Sequence, residues 1–232
     1  MEFKTYAIRI KLYMLEDIGA EDIQTRVAEF IDSGLVAQEE LAALHKENCF
    51  KYYCFDQPYP LEKDKVYRKD KIYTLTIRTT DQRLAKYFLD DLPNTYTIRL
   101  KGLTAQLRIL PRKHIDVIYT LTPAILKCPS GYWKDEMNLE QYEERLKVNL
   151  IKKWNAFHGE KLEENFEFSK GIEFLNNGPI GCKYKGIRLL GDKIQVHIED
   201  NKMAQELAYF ALGTGVLENN ARGSGFVNYR WL

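Results

Sequence analysis

Apolar and polar positions follow strand or helix spacing along most of this 232-residue chain. "TYAIRIKL" alternates at period two, with Tyr6, Ile8, Ile10 and Leu12 on one side and Arg9 and Lys11 on the other. That pattern predicts a half-buried strand with a basic outer face. In "GAEDIQTRVAEFIDSG" the apolar positions Ile23, Val27, Phe30 and Ile31 step by three and four. They predict an amphipathic helix that ends near Gly34. "LVAQEELAALHK" reads as a second short helical piece, and "CFKYYCF" and "KIYTLTIRT" as strands. "TDQRLAKYFLDDL" reads as a helix with a Thr80/Asp81 start and Pro93 just past its end. "TYTIRLK" and "TAQLRIL" add further alternation.

The second half repeats this order. "IDVIYTLTPAILK" is strand-like, with Pro123 marking a bend or an edge. "NLEQYEERLKVNLIKKWNAFHG" is the longest helix, with Leu139, Tyr142, Leu146, Leu150, Trp154 and Phe157 on one stripe and Gly159 at its end. "FEFSKGIEF" and "IGCKYKGIRLLGDKIQVHI" supply strands or a hairpin. "EDNKMAQELAYFAL" is a helix capped by Asp200 or Asn201, and "FVNYRWL" is the last strand. Each half therefore reads β-α-β-β-α-β, the ferredoxin-like order of an antiparallel sheet backed by two helices. The expected fold is α+β, with tandem ferredoxin-like domains at residues 1–112 and 113–232. The helices need one face of the first sheet. The other is free for a partner and would carry Arg9, Lys11, Arg99 and Lys101.

Composition narrows this only a little. Lys plus Arg number 34 and Asp plus Glu 33, a net charge of +1, so nucleic-acid binding would depend on where the basic residues cluster. Cys49, Cys54, Cys128 and Cys182 include no C-x-x-C pair, and no metal site is expected. Cys49 and Cys54, in a strand-like run, should point to opposite faces. The N-terminus alternates and carries charge, unlike a signal peptide. No apolar run reaches the roughly 18 residues of a spanning helix. A cytoplasmic protein with no membrane contact is the expectation.

Between the last helix and the last strand lies "GTGVLENNARGSGFVNYR". A dinucleotide-binding glycine motif needs a strand before it and a helix after it. Here the order is reversed, so no nucleotide cofactor, and no other cofactor, is expected. Gly213, Gly215, Gly223 and Gly225 could simply supply positive φ angles. They could instead let backbone amides approach a phosphate chain, with Arg222 adding charge.

A tandem ferredoxin-like chain that ends in helix, G-x-G, G-x-G-F and strand resembles the repeat-associated RNA-binding proteins of CRISPR systems. More narrowly it is similar to the Cas-six family, endoribonucleases that cut CRISPR repeat transcripts into guide RNAs. "YTLTPAILK" is similar to the strand opening that family's second half, and "YEERLKVNLIKKWNAFHG" to its following helix. "GTGVLENNARGSGF" is similar to its glycine-rich loop, although the gap between Gly215 and Gly223 is somewhat long. The resemblance implies a prokaryotic protein that binds CRISPR repeat RNA through this loop and through Arg9 and Lys11. It leaves open other CRISPR effector subunits as partners and a monomer or a dimer as the oligomeric state.

A metal-free ribonuclease needs the 2′-OH deprotonated, the 5′-oxygen protonated and the phosphorane charge stabilised. The chain has four histidines. His114 falls in the linker region and His158 in a last helical turn, where a cation complements the macrodipole. His197 points away from the Val196 and Ile198 face. From the residues alone, each has a structural or solvated role. His45 ends "EELAALHK", where the residues alone read as a solvated histidine at a helix end. The resemblance implies that His45 is the catalytic histidine, as base or acid. The H-x5-K spacing of "HKENCFK" then makes Lys51 the group that stabilises charge. Many members of that family carry a tyrosine on the first helix, where this chain has Phe30. Tyr52, Tyr53 and Ser33 are alternative hydroxyls. The resemblance therefore implies metal-independent cleavage to a 2′,3′-cyclic phosphate and a 5′-hydroxyl. The alternative is a guide-RNA-binding protein of the same fold that does not cut. A small-molecule enzyme would need a cofactor motif that the chain lacks.

Overall fold

The computed structural model describes residues 3–37, 41 and 49–232. The chain divides into two compact units, Met1–Leu110 with Ala221–Gly223, and Pro111–Asn220 with Ser224–Leu232.

The first unit is built on strands β1 (Tyr6–Met14), β3 (Tyr53–Phe55), β5 (Ile72–Thr79) and β6 (Leu100–Ile109), with a small β2–β4 pair (Ile18–Gly19 and Val66–Tyr67) beside them. The four main strands line up β3-β5-β1-β6, all antiparallel. Numbered by chain order, that is second-third-first-fourth, the ferredoxin-like arrangement. Helices α1 (Ile23–Ala37) and α2 (Gln82–Asp90) fill the two crossovers. Alternation explains the core: Ile8, Ile10, Leu12 and Met14 are fully buried with Leu75 and Ile77 of β5, against Val27, Phe30 and Ile31 of α1. Arg9 and Lys11, one residue out of phase, are exposed.

The second unit repeats the plan. Strands β7 (Ile115–Thr120), β9 (Ser169–Phe174), β12 (Ile194–Ile198) and β13 (Val227–Trp231) order as β13-β7-β12-β9. Helices α3 (Leu139–His158) and α4 (Lys202–Thr214) occupy its crossovers. A separate three-stranded sheet pairs β8 (Ala124–Ile125) with β11 (Ile187–Asp192) and β10 (Ile180–Tyr184). Asn138 and Gln141 form a capping box at the start of α3, and Gly159 closes it at φ 71°.

Several boundaries differ from the sequence pattern, each for a local reason. Helix α1 does not end at Gly34 but continues to Ala37. Tyr87 of α2 packs onto that turn and donates to the Ile31 carbonyl at 3.0 Å. A Cβ at Gly34 would lie 2.1 Å from the Tyr87 hydroxyl, so this glycine permits close helix contact rather than a stop. "CFKYYCF" is extended only over Tyr53–Phe55, because Tyr52 takes a φ of +52°. "TYTIRLK" and "TAQLRIL" contribute to one strand, β6, whose register slips opposite Ile10 and Leu12. Leu139 opens α3 and is 45% exposed, off the buried stripe of Tyr142, Leu146 and Leu150.

Candidate functional site

Three places gather the chemistry anticipated from sequence. The first is the entry to β3. His45 lies outside the described residues. Lys51 is half-buried, and its ammonium sits 3.8 Å from the exposed Cys49 sulfur. Next to it, Tyr52 is half-buried in the left-handed region, which a bulky residue seldom enters unless its surroundings hold it there. Here the holding groups are Thr79 and Thr80: the Tyr52 carbonyl accepts from Thr79 Oγ1 at 2.7 Å and from the Thr80 amide at 3.3 Å. Burial raises the Tyr52 phenol above its ordinary pKa, with Cys49 and Asp81 adding to the effect. Tyr53 is 2% exposed, edge-on to Phe88 at 5.3 Å, and burial drives its hydroxyl far above the usual range. Ser33 is exposed and donates to the Phe30 carbonyl at 2.8 Å. Phe30 itself is a core side chain, 0% exposed. Of the three hydroxyls, Tyr52 adjoins Lys51 and retains solvent access.

The second place is the outer face of the first sheet. In register, Arg9 stands between Thr76 and Gln106, and Lys11 faces Thr74, to whose hydroxyl it donates at 2.8 Å. Lys101 is exposed opposite Tyr13. Arg99 precedes β6 and pairs with Glu16 at 2.6 Å. The result is an exposed surface of cations and short hydroxyls, the donor set that grips phosphate oxygens.

The third is the glycine-rich loop. Gly213 is in the last turn of α4, and Gly215 follows that helix at φ +73°. The Gly215 amide donates to the Ala211 carbonyl at 2.8 Å, and the Gly225 amide to the Pro123 carbonyl at 2.8 Å. A Cβ at Gly225 would lie 2.1 Å from the Val216 carbonyl oxygen. All four glycines are buried, and the loop residues with solvent access are Glu218, Asn219, Ala221 and Arg222. The tip, Ala221–Gly223, packs as part of the first unit. Arg222 pairs there with Asp32 of α1, keeping 38% of its side chain exposed. Gln24 of the same helix donates to the Gly223 carbonyl at 2.6 Å.

Beneath the loop is a residue that the sequence pattern did not single out. Lys153 of α3 is 3% exposed, and its ammonium donates to Asn220 Oδ1 at 2.6 Å and to the Leu217 and Gly215 carbonyls at 2.7 and 3.1 Å. Hydrogen bonds from a charged donor contribute about 1.5–3 kcal/mol each, against the cost of removing that charge from water. The available signal was spacing: Lys153 is seven residues after Leu146 and three after Leu150, on the apolar stripe.

The other histidines are engaged locally. His114 lies 3.1 Å from Asp200, His197 2.9 Å from Glu173, and His158 stacks on Trp154 at 3.8 Å. Among the described residues, no group of three or more His, Cys, Asp and Glu side chains is placed to hold a metal ion, and no helix is long and apolar enough to cross a membrane.

Comparison with known proteins places this arrangement. Residues 109–229, slightly more than half of the chain, match the family model "CRISPR associated protein Cas6, C-terminal". The chain is 22% identical to "CRISPR-associated endoribonuclease Cas6 2" of Methanocaldococcus jannaschii, over 95% of the chain and 98% of that protein. Among solved structures, "CRISPR associated protein Cas6" aligns with a TM-score of 0.69 at 22% identity, covering 97% of this chain and 99% of that one. "An RAMP protein binding different RNA substrates" aligns with a TM-score of 0.73 at 18% identity, with the same coverage. Both likenesses run through the two ferredoxin-like units.

Proposed function

Because the chain belongs to the CRISPR-associated Cas6 family, we infer that it is an endoribonuclease that processes CRISPR RNA, cutting the repeat of the precursor without a metal ion. The observation that carries this reading is the match of residues 109–229 to the family, joined to a fold likeness over both units. The curated relative quoted above is named as an endoribonuclease and is similar over 95% of the chain.

In the proposed reaction the 2′-hydroxyl of the nucleotide before the cut attacks the adjacent phosphorus. A 2′-O–P bond forms, the P–O5′ bond breaks, and the products are a 2′,3′-cyclic phosphate and a 5′-hydroxyl. His45 moves a proton, from the 2′-hydroxyl as base or to the leaving 5′-oxygen as acid. Lys51, half-buried at the entry to β3, supplies positive charge to the phosphorane. The RNA backbone follows Arg9 and Lys11 and the accessible part of the glycine-rich loop, with Arg222, paired with Asp32 and 38% exposed, adding positive charge.

The test is repeat RNA incubated with protein in excess EDTA, followed by analysis of the new ends. Cleavage to a cyclic phosphate and a 5′-hydroxyl is expected. RNA held intact on the protein would establish the guide-RNA-binding alternative, and cleavage abolished by EDTA would remove the metal-free reading.

Cys49 offers an independent check. It is exposed and lies 3.8 Å from the Lys51 ammonium, whereas Cys54 is buried. Burial pushes the Cys182 thiol up to about 11 and raises that of Cys128. Maleimide should therefore react first at Cys49 and slow cleavage at least about tenfold, and bound repeat RNA should protect it. Equal labelling by mass spectrometry with and without RNA would place the RNA away from Lys51.

A further inference from the structure

The glycine-rich loop is held from below by two side chains. The Lys153 ammonium donates to the carbonyls of Gly215 and Leu217 and to Asn220 Oδ1. Three acceptors match its three N–H donors. The Asn220 amide nitrogen carries the connection onward, donating to the Val216 carbonyl at 2.9 Å and the Ser224 carbonyl at 3.0 Å. One ammonium and one carboxamide therefore tie both limbs of the loop to α3.

The backbone conforms to this support. Leu217 and Asn219 take φ angles of +54° and +60°; asparagine enters this region readily, whereas leucine seldom does unless its surroundings hold it there. The flanking glycines make room for it: a Cβ at Gly215 or Gly225 would come within 2.6 or 2.9 Å of the Asn220 amide nitrogen. The loop's glycine content thus accommodates its own internal frame, and its accessible residues, Glu218, Asn219, Ala221 and Arg222, are displayed on that frame.

We propose that Lys153 and Asn220 are positioning residues for RNA binding, holding the loop in the single conformation in which Glu218, Asn219, Ala221 and Arg222 meet the repeat RNA backbone. The proposal rests on the reading of this protein as a repeat-RNA endoribonuclease. Its physical basis is preorganisation: a glycine-rich segment without internal ties must be ordered when RNA binds, and that entropy is subtracted from affinity. Neither residue reaches the reacting atoms, so the effect falls on affinity and not on the chemical step.

The experiment measures two quantities on the full chain. One is the Kd for repeat RNA carrying a 2′-deoxy substitution at the cut; the other is the single-turnover cleavage rate at saturating unmodified RNA. Lys153→Met and Asn220→Ala are compared with wild type and with Val196→Ala. Val196 is a buried core residue of β12, 1% exposed, and its truncation serves as a core-destabilising control away from the loop. Kd rising at least about tenfold in Lys153→Met and Asn220→Ala, with the saturated rate within about threefold and Val196→Ala binding normally, is the expected result. Asn220→Ala leaves the two backbone bonds of Lys153 in place, so it carries the test if Lys153→Met does not fold. Unchanged Kd in the loop variants, or an equal rise in Val196→Ala, overturns the proposal alone. Wild-type protein that does not bind the RNA overturns the functional reading and this proposal with it.

Discussion

His45→Ala is expected to lower the single-turnover rate of repeat RNA cleavage by about 10²–10⁴-fold, the range that positioned proton transfer contributes to catalysis. In barrier height this is about 3–5 kcal/mol. Transesterification at an RNA linkage brings its own nucleophile, so the protein's task reduces to moving two protons and bearing the phosphorane charge. In the proposed reaction His45 moves one of those protons and Lys51 bears the charge, which sets their different expected signatures. Lys51→Ala removes one charge-stabilising donor and is expected to cost about 10²–10³-fold. Both variants should keep Kd for uncleavable repeat RNA within about threefold of wild type, since binding is assigned to the basic sheet face and the glycine-rich loop. Single-turnover kinetics with excess protein separates rate from affinity. Cleavage by His45→Ala at the wild-type rate would remove the assignment of this residue while leaving the nuclease class standing.

The order of elements in both units is legible in the sequence because β1, β5 and β12 alternate cleanly and the four main helices carry apolar residues at three and four spacings. Those signals depend on burial of one face, which is set by residue type at each position. Signals that depend on what lies opposite in space were not readable. Gly34 looked like a helix end because nothing local distinguishes a terminating glycine from one that admits a neighbour; only Tyr87, 53 positions further on, decides it. Nothing local singles out Lys153, because its acceptors lie more than 60 positions away. The glycine-rich loop was legible as a loop and as a family feature. Its internal wiring through Asn220 was not, since asparagine in a polar run reads equally as turn or surface. The candidate site divides the same way: the sheet cations came from alternation and Lys51 from the family resemblance, whereas the backbone twist at Tyr52 comes from Thr79 and Thr80 on a different strand end.

Gly225→Ala should be the most damaging single-methyl substitution in the second half of the chain. Two penalties act at this position. The residue sits at φ +65°, a region open to glycine and strained for alanine. The added Cβ would lie 2.1 Å from the Val216 carbonyl oxygen and 2.9 Å from the Asn220 amide nitrogen. The first obstacle is backbone and cannot rotate away. The Gly225 carbonyl also accepts from the Val216 amide at 2.9 Å, so relief by backbone movement breaks that bond. Local strain and overpacking together cost about 3–5 kcal/mol, or roughly 10 °C in Tm for a chain of this size. Gly178→Ala is the matched control, because a Cβ there meets nothing within 4 Å and no positive φ is required. Thermal unfolding of the two variants decides the matter: a Gly225→Ala midpoint within about 2 °C of Gly178→Ala would mean the loop yields freely. It would then lack the rigid frame on which positioning by Lys153 depends. A large loss at Gly225 with a silent change at Gly178 ties the loop's glycine requirement to its own packing, independently of any bound RNA.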